Sequence, residues 1–232
     1  AVCGAMLAIS VNFQQFGISA YPAGAAAEAR SGFITALYVV FVPLLSFFFG
    51  KKVSPVIWAS VAVAVVGFYM LCLSGGISGI YTADILVFIC AFCFAGQIIS
   101  VDKFVGLTGG VKLSVMQFTV AGALSAVFAV IFERPTMENI IAAAPQILYL
   151  GIVSSGVGYT LQIVGQKYAE PSVASLSMSL ESVFAALGGW LISGNTLTGR
   201  EFIGCALVFA AIVVAQIPEM TGKTRKQSAS QQ

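Results

Sequence analysis

Residues 83–101 read ADILVFICAFCFAGQIISV, an apolar stretch with one acid, Asp84, at its start and only Gln97 and Ser100 as further hydrogen-bonding side chains of note. A helix that crosses a bilayer needs about 20 predominantly apolar residues, and this stretch meets that length. Its apolar residues are consecutive rather than alternating, which argues for a membrane-spanning helix and against a strand of a transmembrane barrel. Cys90 and Cys93 form a C-x-x-C within it. No second cysteine pair and no histidine accompany them, so they read as small hydrophobes rather than as a metal or redox site.

Outward from this segment, seven further runs of similar character appear at 3–20, 32–50, 55–74, 113–132, 146–167, 172–193 and 201–218. Together they predict an all-α, polytopic membrane protein with eight transmembrane helices. Pro55 and Pro171 sit where a helix start tolerates proline, Pro145 precedes the sixth run, and Pro218 marks the end of the eighth. Residues 219–232 are polar and are expected to form a disordered tail. The first apolar run starts at once, with no basic segment or initiating methionine before it, so the sequence reads as a piece whose start is missing.

Composition points the same way. The 232 residues are 59% hydrophobic and 9% charged, with mean hydropathy +0.97. Soluble domains carry about 25% charged residues, so lipid is the natural solvent for this chain. A net charge of +2 with no basic stripe gives no reason to expect nucleic acid as a partner. The absence of histidine removes the usual general base and the commonest metal ligand. Intramembrane serine and zinc proteases both need it, and the aspartates Asp84 and Asp102 lie at the ends of one run, so an aspartyl dyad is not formed either. No metal, cofactor or enzymatic activity is expected. The lysines and arginines orient the chain. Lys51, Lys52, Lys103, Lys112, Lys167, Lys223, Arg225 and Lys226 fall on one side, against Arg30, Arg134 and Arg200 on the other. The first side is therefore read as cytoplasmic, and it includes the C-terminus.

An internal repeat emerges on a shift of 143 residues. FITALYVVFVPL at 33–44 lies over LSMSLESVFAAL at 176–187, with Leu37, Val40, Phe41 and Leu44 matching Leu180, Val183, Phe184 and Leu187. Small gaps bring Gln15 near Gln162 and the third run onto the eighth. The order of matching helices implies two units of five, hence a ten-helix molecule. The second unit would be inverted relative to the first, an arrangement found in transporters with a midplane site. On this reading, residues 1–74 are the last three helices of the first unit and 83–218 are the whole second unit.

Polar residues inside the spans are costly in lipid and should face a shared interior. They form narrow stripes: Asn12, Gln15 and Ser19; Cys93, Gln97 and Ser100; Ser114, Gln117 and Ser125; Ser155, Tyr159, Gln162 and Gln166. Glu181 is the one acid well inside a run, and the repeat sets Tyr38 in the equivalent place. The candidate cavity residues are thus Asn12, Gln15, Tyr38, Gln97, Gln117, Tyr159, Gln162, Gln166 and Glu181. The competing explanation is interhelical hydrogen bonding, worth about 0.6 kcal/mol a pair. Glu181 is expected to be buried, and either to meet an amine or a proton during a transport cycle or to bridge helices. Gly151, Gly156, Gly158, Gly188 and Gly189 are expected chiefly to allow close helix packing.

The stretch FQQFGISAYPAGAAAEARSGFITALYVVFVPLLSFFFGKK resembles the third and fourth helices of EamA-type proteins of the drug/metabolite transporter superfamily. SSGVGYTLQIVGQKYAEPSVASLSMSLESVFAALGGWLISGNTLTGREFIGCAL resembles their helices eight to ten. A Gly194-Asn195 pair stands where that family commonly has Gly-Glu, which removes a surface charge. The resemblance implies a ten-helix basket of two inverted five-helix units in the cytoplasmic membrane, exporting or exchanging small metabolites. The expected partners are a small-molecule substrate, the lipid bilayer and, as one option, a second copy of the chain. The alternatives are a channel or a non-transporting scaffold, and a channel would show a pore loop or a ring of charge.

Overall fold

A computed structural model describes residues 1–22, 27–72, 81–133, 136–184 and 198–229, and among them every regular element is helical. The elements are α1 (Val2–Ser19), α2 (Ala27–Ala36), α3 (Tyr38–Phe48), α4 (Pro55–Cys72), α5 (Thr82–Thr108) and α6 (Gly110–Phe128). After α6 the chain continues as a π-helical turn (Ala129–Glu133), α7 (Met137–Ala142), α8 (Ala144–Tyr149), a π-helical segment (Leu150–Tyr159), α9 (Thr160–Gln166), α10 (Pro171–Met178) and α11 (Gly199–Ala229).

Among the described residues, six helical stretches are long and apolar enough to cross a membrane: Val2–Ser19, Arg30–Phe48, Thr82–Thr108, Gly110–Phe132, Ala144–Gln166 and Gly199–Ile217. Pro55–Leu71 is a shorter apolar helix. The sequence reading counted eight. The difference lies in the third and seventh runs. The third run is helical only as far as Cys72 among described residues. The seventh is interrupted at Ser179, whose Oγ donates to the Leu176 carbonyl, a local bond that competes with the regular helical ladder. Residues 180–184 are helical again, and the remainder of that run, with Gly188 and Gly189, lies outside the described residues. The last helix also differs from expectation. It runs past Pro218 to Ala229, where the sequence suggested a stop and a disordered tail. One proline costs one backbone hydrogen bond, and the Glu, Met, Lys, Arg and Gln residues that follow are good helix formers.

The helices pack around α5, which touches α1, α2, α3, α6, α9 and α10. Alongside, α4 and α11 form a close pair. Ile57, Val61, Ala64, Phe68 and Leu71 recur at steps of four and three on α4, which is one helical stripe. They are buried against Cys205, Val208, Ala211, Ile212 and Ala215 of α11. Glycine sets the distance here: a Cβ on Gly67 would lie 2.9 Å from the Gly204 carbonyl oxygen, and one on Gly204 would lie 2.7 Å from that of Gly67. The glycines expected to pack behave otherwise. Gly151 has nothing within 4 Å of a built Cβ, and Gly151, Gly156 and Gly158 all fall in the π-helical segment. Three glycines and two serines within ten residues lower helix propensity, which fits a widened, irregular turn at this point. Outward faces carry Val127, Ile131, Leu148, Ile152 and Leu161, all exposed. In water such a surface would aggregate, whereas in a bilayer it meets its proper solvent.

Candidate functional site

The break between α2 and α3 at Leu37 turns the chain so that Tyr38, the first residue of α3, faces the interior. There a cavity of about 210 Å³ is lined by Gln14 of α1, Thr35 of α2, Tyr38 of α3, Phe94 and Gln97 of α5, Tyr159, Gln162, and Glu181 with Ser182. Gln14 Nε2 donates to Thr35 Oγ1 at 3.2 Å across the α1–α2 contact. Tyr159 is seated edge-on against Phe118, with ring centroids 5.9 Å apart at 86°.

A second cavity shares Gln162, Met178 and Glu181 with the first. It continues past Gly165, Gln166, Ala169 and Ala174, beside the link that carries Lys167. Gln166 Nε2 lies 3.4 Å from Met178 Sδ, and its Oε1 is buried without a partner. Gln162 Nε2 is likewise buried and without a hydrogen bond. Glu181, which stands where both cavities meet, is exposed rather than buried. The sequence reading expected burial, because it placed the residue inside an unbroken span. The turn at Ser179 and the two cavities give the side chain open space instead.

Of the nine residues singled out in the sequence, Tyr38, Gln97, Tyr159, Gln162 and Glu181 come together around the first cavity, and Gln166 borders the second. The other three lie elsewhere. Asn12 Nδ2 donates to Ser125 Oγ at 2.9 Å and to the Ala8 carbonyl, tying α1 to α6. Gln117 accepts from Gln97 Nε2 at 3.0 Å, tying α6 to α5, with Gln117 itself buried. Gln15 is exposed, and the cavity takes its neighbour Gln14. Ser114 follows the same pattern as Asn12, with its hydroxyl 2.6 Å from that of Thr160. The α6 stripe thus bonds helices together, while the face of Tyr159 and Gln162 lines open space.

The sequence reading missed the most strongly bonded polar cluster. Arg30 at the start of the second span pairs with Asp84 at the start of α5, 2.7 Å from Nη2 to Oδ2. Tyr21 Oη donates to Asp84 Oδ1 at 2.6 Å. The Tyr81 backbone N–H donates to Oδ2 at 2.8 Å. The guanidinium lies over the Tyr81 ring at 4.7 Å from its centroid and over that of Tyr21 at 6.0 Å, within cation–π range. Burial and the Asp84 hydrogen bond together hold the Tyr21 phenol above the usual tyrosine range. A signal was present in the sequence: the topology already sets Arg30 and Asp84 at span ends on the same face, each beside a tyrosine or a short link. Both residues were read instead as link and end charges.

A bundle of membrane-length helices around a polar interior cavity defines a multi-pass membrane protein. The sequence model of the EamA-like transporter family matches residues 81–216, and the chain belongs to that family, a family of transporters and not of enzymes. An uncharacterized transporter of Archaeoglobus fulgidus is 32% identical over 189 residues, covering 81% of this chain and 60% of that protein. A second uncharacterized transporter of the same organism is 33% identical over 66 residues, 28% of this chain and 24% of the relative. The chain thus spans 60% of the length of the first of these relatives. A crystal structure described only as that of a protein superposes with a TM-score of 0.74 over 93% of this chain and 76% of the other, at 19% identity, which shows a shared fold.

Proposed function

We propose that this protein is a secondary transporter that moves small metabolites across the cytoplasmic membrane by alternating access, exporting or exchanging them. The observation that carries this reading is the pair of cavities joined at Gln162, Met178 and Glu181. One lies among the mid-regions of the helices, and the other leads toward the Lys167 link, on the lysine-rich side read as cytoplasmic. On the opposite side, the Arg30–Asp84 pair and its two tyrosines draw α2, α5 and the end of α1 together. A binding space with a way out on one face and a bonded closure on the other is what an inward-open carrier requires. Tyr38, Gln97, Tyr159, Gln162, Gln166 and Glu181 are then the substrate-facing residues.

The repeat fits this reading. Tyr38 and Glu181, equivalent under the 143-residue shift, both line the first cavity, as expected when two inverted units face each other across one site. We take 1–74 and 83–218 as parts of those two units, eight of ten helices in all, with the C-terminus cytoplasmic.

Counterflow with the full-length protein in proteoliposomes, across a panel of amino acids, nucleosides and amines, tests the proposal. Saturable exchange of at least one solute is the expected result. Flux that rises linearly with concentration would indicate a channel, and no flux for any solute would indicate a scaffold; either overturns the carrier.

A further inference from the structure

The charges and unused hydrogen-bonding groups of the central cavity define its occupant more narrowly than the family does. We propose that the cavity binds a small organic monocation, an amine that also carries a neutral hydrogen-bond acceptor such as a carbonyl or hydroxyl. This rests on the transport reading above and names the substrate class of the same site.

Three observations converge. The first is charge. Glu181 is the one ionisable carboxylate among the lining residues, and neither lysine nor arginine lines either cavity at which it stands. Arg30 is engaged by Asp84, and Lys51 by Asp102. No hydrogen bond or ion pair to Glu181 occurs among the described residues. A carboxylate standing where two partly apolar cavities meet attracts a cation. It repels an anion for the same reason, and a zwitterion's carboxylate would meet neutral donors such as Gln162 but no lysine or arginine to balance its charge.

The second is the wall facing that charge. Tyr38, Tyr159 and Phe94 supply three aromatic rings and Met178 a thioether. Aromatic rings stabilise ammonium groups through the negative potential of their faces, and they add apolar surface for a short hydrocarbon body. The first cavity holds about 210 Å³ and the second, which joins it at Glu181, about 490 Å³, a space on the scale of small-molecule pockets, roughly 300–1,000 Å³.

The third is the idle donor. Gln162 is part of the cavity lining, and its Nε2 is buried with no acceptor. Leaving a buried donor unpaired is costly, so a small turn of the side chain toward an acceptor on the bound solute would be favoured. Gln97, by contrast, already spends its amide nitrogen on Gln117, and Gln14 spends its own on Thr35. Ammonium to Glu181 and acceptor to Gln162 gives a two-point fit.

Four probes of one shape separate the charges: leucinamide (cation), leucine (zwitterion), 2-hydroxyisocaproamide (neutral) and 2-hydroxyisocaproate (anion). Their binding to the purified full-length protein is measured by titration calorimetry. Leucinamide is expected to bind at least tenfold more tightly than each of the others. Glu181→Gln should lose that preference at unchanged thermal stability, whereas Glu181→Asp should keep part of it. Gln162→Leu should weaken leucinamide but not isopentylamine, which lacks the acceptor. No binding of leucinamide, equal binding of the anion or the zwitterion, or unchanged leucinamide binding by Glu181→Gln overturns the proposal. Counterflow run in parallel keeps the two readings apart. Saturable exchange of some other solute without leucinamide binding sinks the amine and leaves the carrier, whereas leucinamide binding without any exchange does the reverse.

Discussion

At one end of α5, Asp84 meets Arg30; at the other, Asp102 meets Lys51, and both cations flank the same span, formed by α2 and α3. The chemistry is the same and the surroundings are not. The Arg30 and Asp84 side chains are 7% and 11% exposed, those of Lys51 and Asp102 50% and 24%. At the first end, Asp84 takes further hydrogen bonds from Tyr21 and from the Tyr81 backbone. At the second, Lys51 is a flexible ammonium reaching from the link after α3. Arginine suits the buried end because its planar guanidinium is weakly hydrated and stacks on rings. The difference teaches that the two ends of one helix pair are held with very different firmness. In the proposed topology the loose end lies on the same side as the Lys167 link, beside which the second cavity runs.

The largest expected effect comes from unpairing the buried end. Asp84→Ala leaves a buried guanidinium without its counter-charge, and should destabilise the protein by about 3–5 kcal/mol, read as unfolding in mixed micelles. The paired replacement Arg30→Met with Asp84→Leu should recover most of that loss, because both desolvation costs disappear together. A loss of under 1 kcal/mol in Asp84→Ala would erase the asymmetry between the ends.

Tyr21→Phe should cost less, about 1.5–3 kcal/mol for one hydrogen bond to a charged acceptor. It also carries a pH signature. The Tyr21 phenol is raised in the folded protein, so it holds its proton where an unfolded chain would lose it. Its contribution is complete below the ordinary tyrosine value of about 10 and is lost as pH rises beyond it. Wild type should therefore lose stability faster than Tyr21→Phe on titration above about pH 10; parallel curves would place the phenol outside the cluster. The smallest effect belongs to the exposed end: Lys51→Ala should change stability by less than about 1 kcal/mol, and less still in high salt.

How much of this was legible beforehand varies by level. Residues such as Ile57, Val61, Ala64, Phe68 and Leu71 announced a helix and its buried face by spacing alone. Tyr38 and Glu181 were paired by the repeat, and both line the cavity. Gln15 and Gln14 could not be told apart, because adjacent residues on a helix differ by 100° and a span's rotation is set by its neighbours. Gln117 and Gln162 looked alike as mid-span amides, yet one is bonded between α5 and α6 while the other belongs to the cavity lining with its amide nitrogen unpaired. The helical stripe drawn through Ser155, Tyr159, Gln162 and Gln166 assumed a regular turn, and the π-helical segment ending at Tyr159 alters that register.

The amino-acid sequence alone settled the solvent, the helical character and the family resemblance, because hydrophobicity and helix length act residue by residue along the chain and need no partner. Only the tertiary structure decided which polar side chains face the cavity, which ones bond helices together, and that Arg30 finds Asp84. Those outcomes depend on helix rotation and on distances between segments far apart in sequence, and packing of whole helices against one another fixes both.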